Sequence, residues 1–178
     1  YNHMILPKSF GMSVEDSYWH LNENVQIWDV SVQRRVGITG PDAARLVQWL
    51  TARDLRQAET GRCDYIPVVD RDGGMLNDPV LLKLAADRFW LSVADSDLLL
   101  YVKGLAIGGG YDVSVEEPDV NPLAIQGPKA VSVIAALFGE VVAKLKFFHF
   151  THIDLFGTRQ IVSRSGFSSA AGFEIYLD

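Results

Sequence analysis

Two segments of this chain follow one plan. "VGITGPDAARLVQWLTA" (Val36–Ala52) and "LAIQGPKAVSVIAALFG" (Leu123–Gly139) each run from a strand-like stretch through Gly-Pro-x-Ala into an amphipathic, helix-like stretch. Glycine tolerates a sharp corner that other residues resist, and proline suits the first turn of a helix. A duplicated unit and a chance agreement at four positions both account for the match. Around these two units the chain alternates helices with runs of antiparallel strands. The expected class is α+β: two related subdomains, each an antiparallel sheet with flanking helices.

Local signals fill in the rest. "SVEDSYWHLNENV" reads as a helix capped by Ser13, with Asp16 three residues on. "VQIWDVSVQRRVGIT" alternates as one strand. After the first corner, Ala44, Val47, Leu50 and Leu55 supply an apolar helical stripe. "CDYIPVVDRDGGMLNDPVLLKLAADRFWLSVAD" reads as three strands, two of them joined by the turn "DRDGG". "SDLLLYVKGLAIG" is a helix ended by glycines. "YDVSVEEPD", "KFFHFTHIDLFG", "TRQIVSRSG" and "GFEIYLD" supply further strands.

Charge and cysteine usage narrow the function. A net charge of -6 and a pI near 5.1 argue against non-specific nucleic-acid binding, which needs a basic face. No apolar run reaches the roughly 20 residues of a membrane span, and no leader pattern precedes the first helix. Cys63 is the one cysteine of the sequence, so no intrachain disulfide forms and a reducing cytoplasm is the expected compartment. No metal site is expected: His149 and His152 form an H-x-x-H pair that a strand would split between its two faces. "DRDGG" lacks the later oxygen ligands of a calcium loop.

Two acidic positions call for explanation. In "GGMLNDPVLL", Asp78 and Pro79 interrupt what reads as a buried strand of Met75, Leu76, Val80, Leu81 and Leu82. Asp is rarely buried unless paired, and proline cannot donate to a sheet ladder. Asp78 is either a solvent-facing residue at a broken edge or a functional acid. In "GFEIYLD", period-two alternation puts Phe173, Ile175 and Leu177 on one face and Glu174 and Tyr176 on the other. That acid and phenol either face water or line a pocket for an aromatic heterocycle, where a carboxylate accepts two parallel N–H bonds and a ring adds surface.

The segments "WDVS", "ITGPDA", "DGGMLNDPV", "LAIQGPKA" and "SRSGFSSAAGFEIYL" resemble, in order, those of the folate-dependent aminomethyltransferase family typified by the glycine-cleavage T-protein. Longer stretches, among them "HLNENVQIWDVSVQRRV", "GRCDYIPVVDRDGGMLNDPVLLKLA" and "VEEPDVNPLAIQGP", are similar to the tetrahydrofolate-dependent dimethylsulfoniopropionate demethylases within it. Departures from the T-protein fall at Ala94-Asp95, at "SGFSSAAG" and at "DVSVQRR", which fits a changed methyl donor.

The resemblance implies the first two domains of a three-domain cloverleaf: residues 1–37 and 120–178 in the first, 38–119 in the second, with a third absent. It implies tetrahydrofolate as cofactor and methyl acceptor, and a small sulfonium as donor. Glu174 would grip the pterin edge, with Tyr176 beside it and Phe167 as an aromatic wall. Asp78 would be the catalytic acid near folate N5, and Tyr65 and Ser92 would line the donor pocket. Arg34 and Arg35 are candidates for a donor carboxylate, and nothing in the sequence chooses between them. The expected partners are small molecules, with a homodimer open to the chain. The alternatives are a T-protein, another folate-dependent demethylase, and a non-catalytic folate-binding module. Relatives of the last kind carry a Lys-Gly-Cys-Tyr-x-Gly-Gln-Glu motif that this sequence lacks.

Overall fold

The computed structural model describes residues 1–93 and 97–178. In chain order the elements are helix α1 (Val14–Glu23), strands β1 (Gln26–Asp29) and β2 (Arg35–Thr39), and helix α2 (Ala43–Leu50). Strands β3 (Cys63–Tyr65), β4 (Val68–Val69), β5 (Met75–Asn77), β6 (Val80–Ala85) and β7 (Arg88–Ser92) follow. Then come α3 (Leu98–Gly108), β8 (Ser114–Glu116), β9 (Asn121–Gln126), α4 (Ala130–Phe138), α5 (Glu140–Ala143), β10 (Phe150–Leu155), β11 (Thr158–Ser163) and β12 (Gly172–Leu177). The arrangement is mixed α and β with antiparallel sheets. The departure noted at Ala94-Asp95, and Ser96 at the start of the expected third helix, lie outside the described residues.

The chain divides into two compact units. The first comprises Tyr1, His3–Val32 and Val120–Asp178; the second comprises Asn2 and Gln33–Asp119. The first holds a five-stranded sheet ordered β1-β9-β12-β11-β10. One face of this sheet packs Ile125, Ile153, Val162, Phe173 and Ile175 against Ala130 and Ile134 of α4. In the second unit the order is β3-β6-β7-β2-β8, beside a two-stranded ribbon of β4 and β5. Its core joins Val36, Ile38, Leu81, Phe89 and Leu91 to Leu46, Val47 and Leu50 of α2 and to Leu98 and Val102 of α3.

The two corners are built alike. At each, the glycine takes a positive φ, 143° at Gly40 and 126° at Gly127. The residue before each helix then sits near φ -90°, ψ 5° (Asp42 at -95°, 5° and Lys129 at -92°, 2°). The amides of Ala43 and Ala130 each bond the carbonyl of their corner glycine at 3.0 Å. A Cβ on Gly40 would lie 2.6 Å from the Asp112 carbonyl oxygen, and one on Gly127 would meet the Asn24 carbonyl. Only glycine turns the chain this close to another backbone segment.

Several expectations are realised and others corrected. Ser13 caps α1, accepting from Asp16 N at 3.0 Å. "DRDGG" closes the β4–β5 hairpin, with Asp70 Oδ1 accepting from Asp72 N and Gly74 N. The segment read as one strand is two, β1 and β2, in different sheets. Ser31 N bonds Asp29 Oδ1 at 3.0 Å, an Asx turn that stops the first strand while the apolar alternation continues. The changeover between units falls after Val32, and β2 runs unbroken through position 37. In α2 the buried stripe is Ala43, Leu46, Val47 and Leu50; Ala44 is exposed, and Leu55 packs on the core from beyond the helix end. Finally, Met75 and Leu76 are not buried: they are 63% and 42% exposed on the hairpin ribbon.

Candidate functional site

Antiparallel register decides which side chains share a sheet face, since directly paired residues point the same way. In the first unit, the face turned from the core carries one row across all five strands: Trp28, Ala124, Glu174, Ser163 and Phe150. Pro122, Tyr176, Ile161 and His152 form the next row on one side. Gln26, Gln126 and Gly172 begin the row on the other. Glu174 and Tyr176 therefore do share the face opposite Phe173 and Ile175.

The acid and phenol are joined in a network. Tyr176 OH donates to Glu174 Oε2 at 3.2 Å, and Ser165 Oγ donates to the same oxygen. Ser163 Oγ lies 2.6 Å from Ser165 Oγ and donates to Tyr176 OH at 3.4 Å. Ser163, Ser165 and Tyr176 are buried, Tyr176 to 1% exposure, while Glu174 is half-buried. Both bonds to the carboxylate fall on Oε2. Among the described residues, Oε1 accepts no hydrogen bond. Ala124, the row neighbour of Glu174, adds only a methyl group. Trp28 closes the row, its indole N–H bonded to Gln26 Oε1 at 2.9 Å. Phe167 stands on the loop after β11 and is 94% exposed.

Trp28 and Gln26 also line a cavity of about 780 Å³ between α1, β1 and the segment Pro7–Ser13. None of the sequence-predicted site residues lines that cavity.

The second unit has its own row on the face turned from its core: Tyr65, Val80, Ser92 and Arg35. Tyr65 OH donates to Asp78 Oδ2 at 2.7 Å. That bond, with partial desolvation and the carboxylate's charge, raises the Tyr65 pKa above its ordinary value of 10.0. Asp78 is exposed and Pro79 buried. They form the joint where the chain leaves β5, paired with β4, and enters β6, paired with β3. Pro79 has no N–H to lose, and its carbonyl accepts from Ile66 N at 3.0 Å. Asp78 thus sits exposed at a broken strand edge, as one of the two readings weighed from sequence has it, and accepts from Tyr65. Of the two arginines, Arg34 is held by Glu117 through Nε at 2.6 Å and through Nη2. Arg35 is buried in the row beside Ser92.

All 178 residues match the family model described as GCVT N-terminal domain. The chain belongs to the GCVT N-terminal domain family. It is 49% identical, over its full length, to dimethylsulfoniopropionate demethylase DmdA of Ruegeria pomeroyi, covering 49% of that protein. It is 31% identical over 175 residues to an aminomethyltransferase of Lysinibacillus sphaericus, of which it covers 47%. The chain spans about half the length of these curated relatives. The crystal structure of glycine cleavage system aminomethyltransferase T from Bartonella henselae matches 99% of the chain with a TM-score of 0.86 at 24% identity, over 48% of that chain. Heterotetrameric sarcosine oxidase from Corynebacterium sp. U-96 matches 85% of it with a TM-score of 0.60 at 16% identity, over 74% of that chain. These two likenesses are of fold.

In this GCVT N-terminal domain, three residues of the sheet face, Ser163, Trp28 and Gln126, and Ser165 on the loop after β11 escaped sequence reasoning. The signal for the serines was present. "SRS" has the same period of two as Glu174 and Tyr176, but only the β11–β12 register sets Ser163 opposite Glu174. Among the described residues no group of three His, Cys, Asp or Glu is placed to hold a metal ion, and no helix is long and apolar enough to cross a membrane.

Proposed function

We propose that this chain is the folate-binding part of a tetrahydrofolate-dependent methyltransferase that demethylates dimethylsulfoniopropionate, giving methylthiopropionate and 5-methyltetrahydrofolate. The observation that carries the reading is the Glu174 network: a carboxylate fixed through one oxygen, with the other available, beside a small residue. That acceptor fits the N–H edge of a pterin, to which ionised acceptors bond about twice as strongly as neutral ones. The identity to a demethylase supplies the donor, and the kinship with aminomethyltransferases supports folate.

In this reading Glu174 holds and orients the pterin, Tyr176 and Ser165 hold Glu174, and Phe167 offers an aromatic face. Ser92 and Tyr65 contact the donor. Asp78, held by Tyr65, attracts the sulfonium or orders the region of N5. Methyl transfer from a sulfonium breaks the S–CH3 bond as the N5–CH3 bond forms. It releases a neutral thioether, so no acid is needed at the leaving sulfur, and the N5 proton passes to solvent. The residues' work is alignment of nucleophile, methyl carbon and sulfur. An overly tight grip on the ground-state cation would slow transfer, because only contacts that strengthen in the transition state accelerate it. A cytoplasmic location belongs to the same proposal, in keeping with a single, buried cysteine.

Single-turnover methyl transfer by the intact protein tests this. The reading predicts 5-methyltetrahydrofolate from dimethylsulfoniopropionate. Its absence, together with ammonia release from an aminomethylated carrier protein, would assign aminomethyl transfer instead.

A further inference from the structure

Gln126 ends β9, is 0% exposed, and lies on the same sheet face as Glu174. Its amide is used at both ends. Oε1 accepts from Ser168 Oγ at 2.7 Å, and Nε2 donates to the Ser165 carbonyl at 3.4 Å. These partners bracket Gly166 and Phe167 on the loop 164–171 that joins β11 to β12. The amide fits because two glycines make room. Gly172 is its direct partner across the strands, Gly166 lies on the loop, and a Cβ on either would overlap the amide. The Gly127 amide adds a backbone bond to Ala171 at 2.9 Å, at the far end of the same loop.

We propose that Gln126 is a positioning residue for the folate site: its buried amide sets the loop 164–171, and through it the placement of Ser165 on Glu174 and the stance of Phe167. The inference rests on the folate reading above. One side chain thus reaches both elements assigned to the pterin, the carboxylate through Ser165 and the aromatic wall through the loop backbone. A buried amide whose partners are removed is costly to leave in place, so the loop and Gln126 hold or yield together. Gly172 then has a stated task, which is to leave the volume that the amide fills.

The test uses the intact protein and two readouts: hydrogen–deuterium exchange of residues 164–171, and tetrahydrofolate affinity. The variants are Gln126→Ala, Gly172→Ala, the double variant, and the milder Ser168→Ala, which removes one bond at the surface side of the loop. Each single change is expected to speed exchange in the loop. Gln126→Ala and Gly172→Ala should each weaken folate binding by about tenfold, the worth of one or two net hydrogen bonds, with the sulfonium KM unchanged. The double variant should be no worse than the poorer single, since both act on one amide. Unchanged loop exchange in Gln126→Ala and Ser168→Ala overturns the proposal whether or not folate binds. Additive losses in the double variant overturn it too. A wild-type protein that fails to bind folate, but whose loop loosens in these variants, refutes the functional reading and leaves the loop assignment standing.

Discussion

The two units share a scaffold and differ in what they put on it. Both turn from strand to helix through the same glycine corner, and both bury an apolar sheet face under the helix that follows. On the opposite face they diverge. The first unit closes its polar groups into a buried set, with Ser163, Ser165 and Tyr176 all engaged around Glu174. The second leaves its acid, Asp78, exposed at a joint between two sheets, with one phenol for a partner. A shared corner and core make the frame; the other face makes the specialisation. A fixed carboxylate suits orientation of a flat heterocycle, and a loosely held one suits attraction of a passing cation.

The sharpest way to break this comparison is to remove the acids one at a time. Glu174→Ala should weaken tetrahydrofolate binding about 100-fold, from loss of the charge-assisted hydrogen bond at Oε1, worth up to roughly 3 kcal/mol. Asp78→Asn should leave that affinity within about twofold, the usual range for a surface change. Titration calorimetry on both variants decides it: equal losses would mean that the division of labour is wrong.

The shared scaffold is tested at its corners. Gly40→Ala and Gly127→Ala each force a side chain into positive φ against a neighbouring carbonyl, at about 1–3 kcal/mol apiece. Denaturant melts should show similar losses for the two. A large cost at one corner and none at the other would show that their likeness is superficial.

The smallest expected effect concerns the exposed acid. Asp78→Asn should slow methyl transfer by about tenfold, one charge–charge contact in a screened site. Near-normal turnover would reduce Asp78 to an ordering role. The same variant should return the Tyr65 titration toward 10.0, since the phenol no longer loses its proton beside an anion. In the parent chain the raised pKa adds stability that is whole below 10.0 and fades as pH climbs through the raised value. Ultraviolet titration of the phenol at high pH reads the shift.

Local chemistry made some of this legible. The Ser13 cap, the "DRDGG" turn, the two Gly-Pro corners and the alternation that pairs Glu174 with Tyr176 all arise within a few residues, and sequence carries them. Features set by register did not show. Apolar alternation runs straight through the Asp29–Ser31 turn, so β1 and β2 read as one strand. The pattern from Met75 to Leu82 likewise reads as continuous although the chain changes sheets at Asp78. Ser163 gains its meaning from standing across from Glu174, and Gln126 from standing across from Gly172. No periodicity within one strand reports what its neighbour brings.

The central claim is that Glu174 holds the folate. A structure of the intact protein with tetrahydrofolate tests it most directly. The account predicts Glu174 at the pterin edge, with Oε1 within hydrogen-bonding distance of a ring N–H and Oε2 still bonded by Ser165 and Tyr176. A Glu174 carboxylate turned to solvent, with the pterin bound elsewhere, would contradict it.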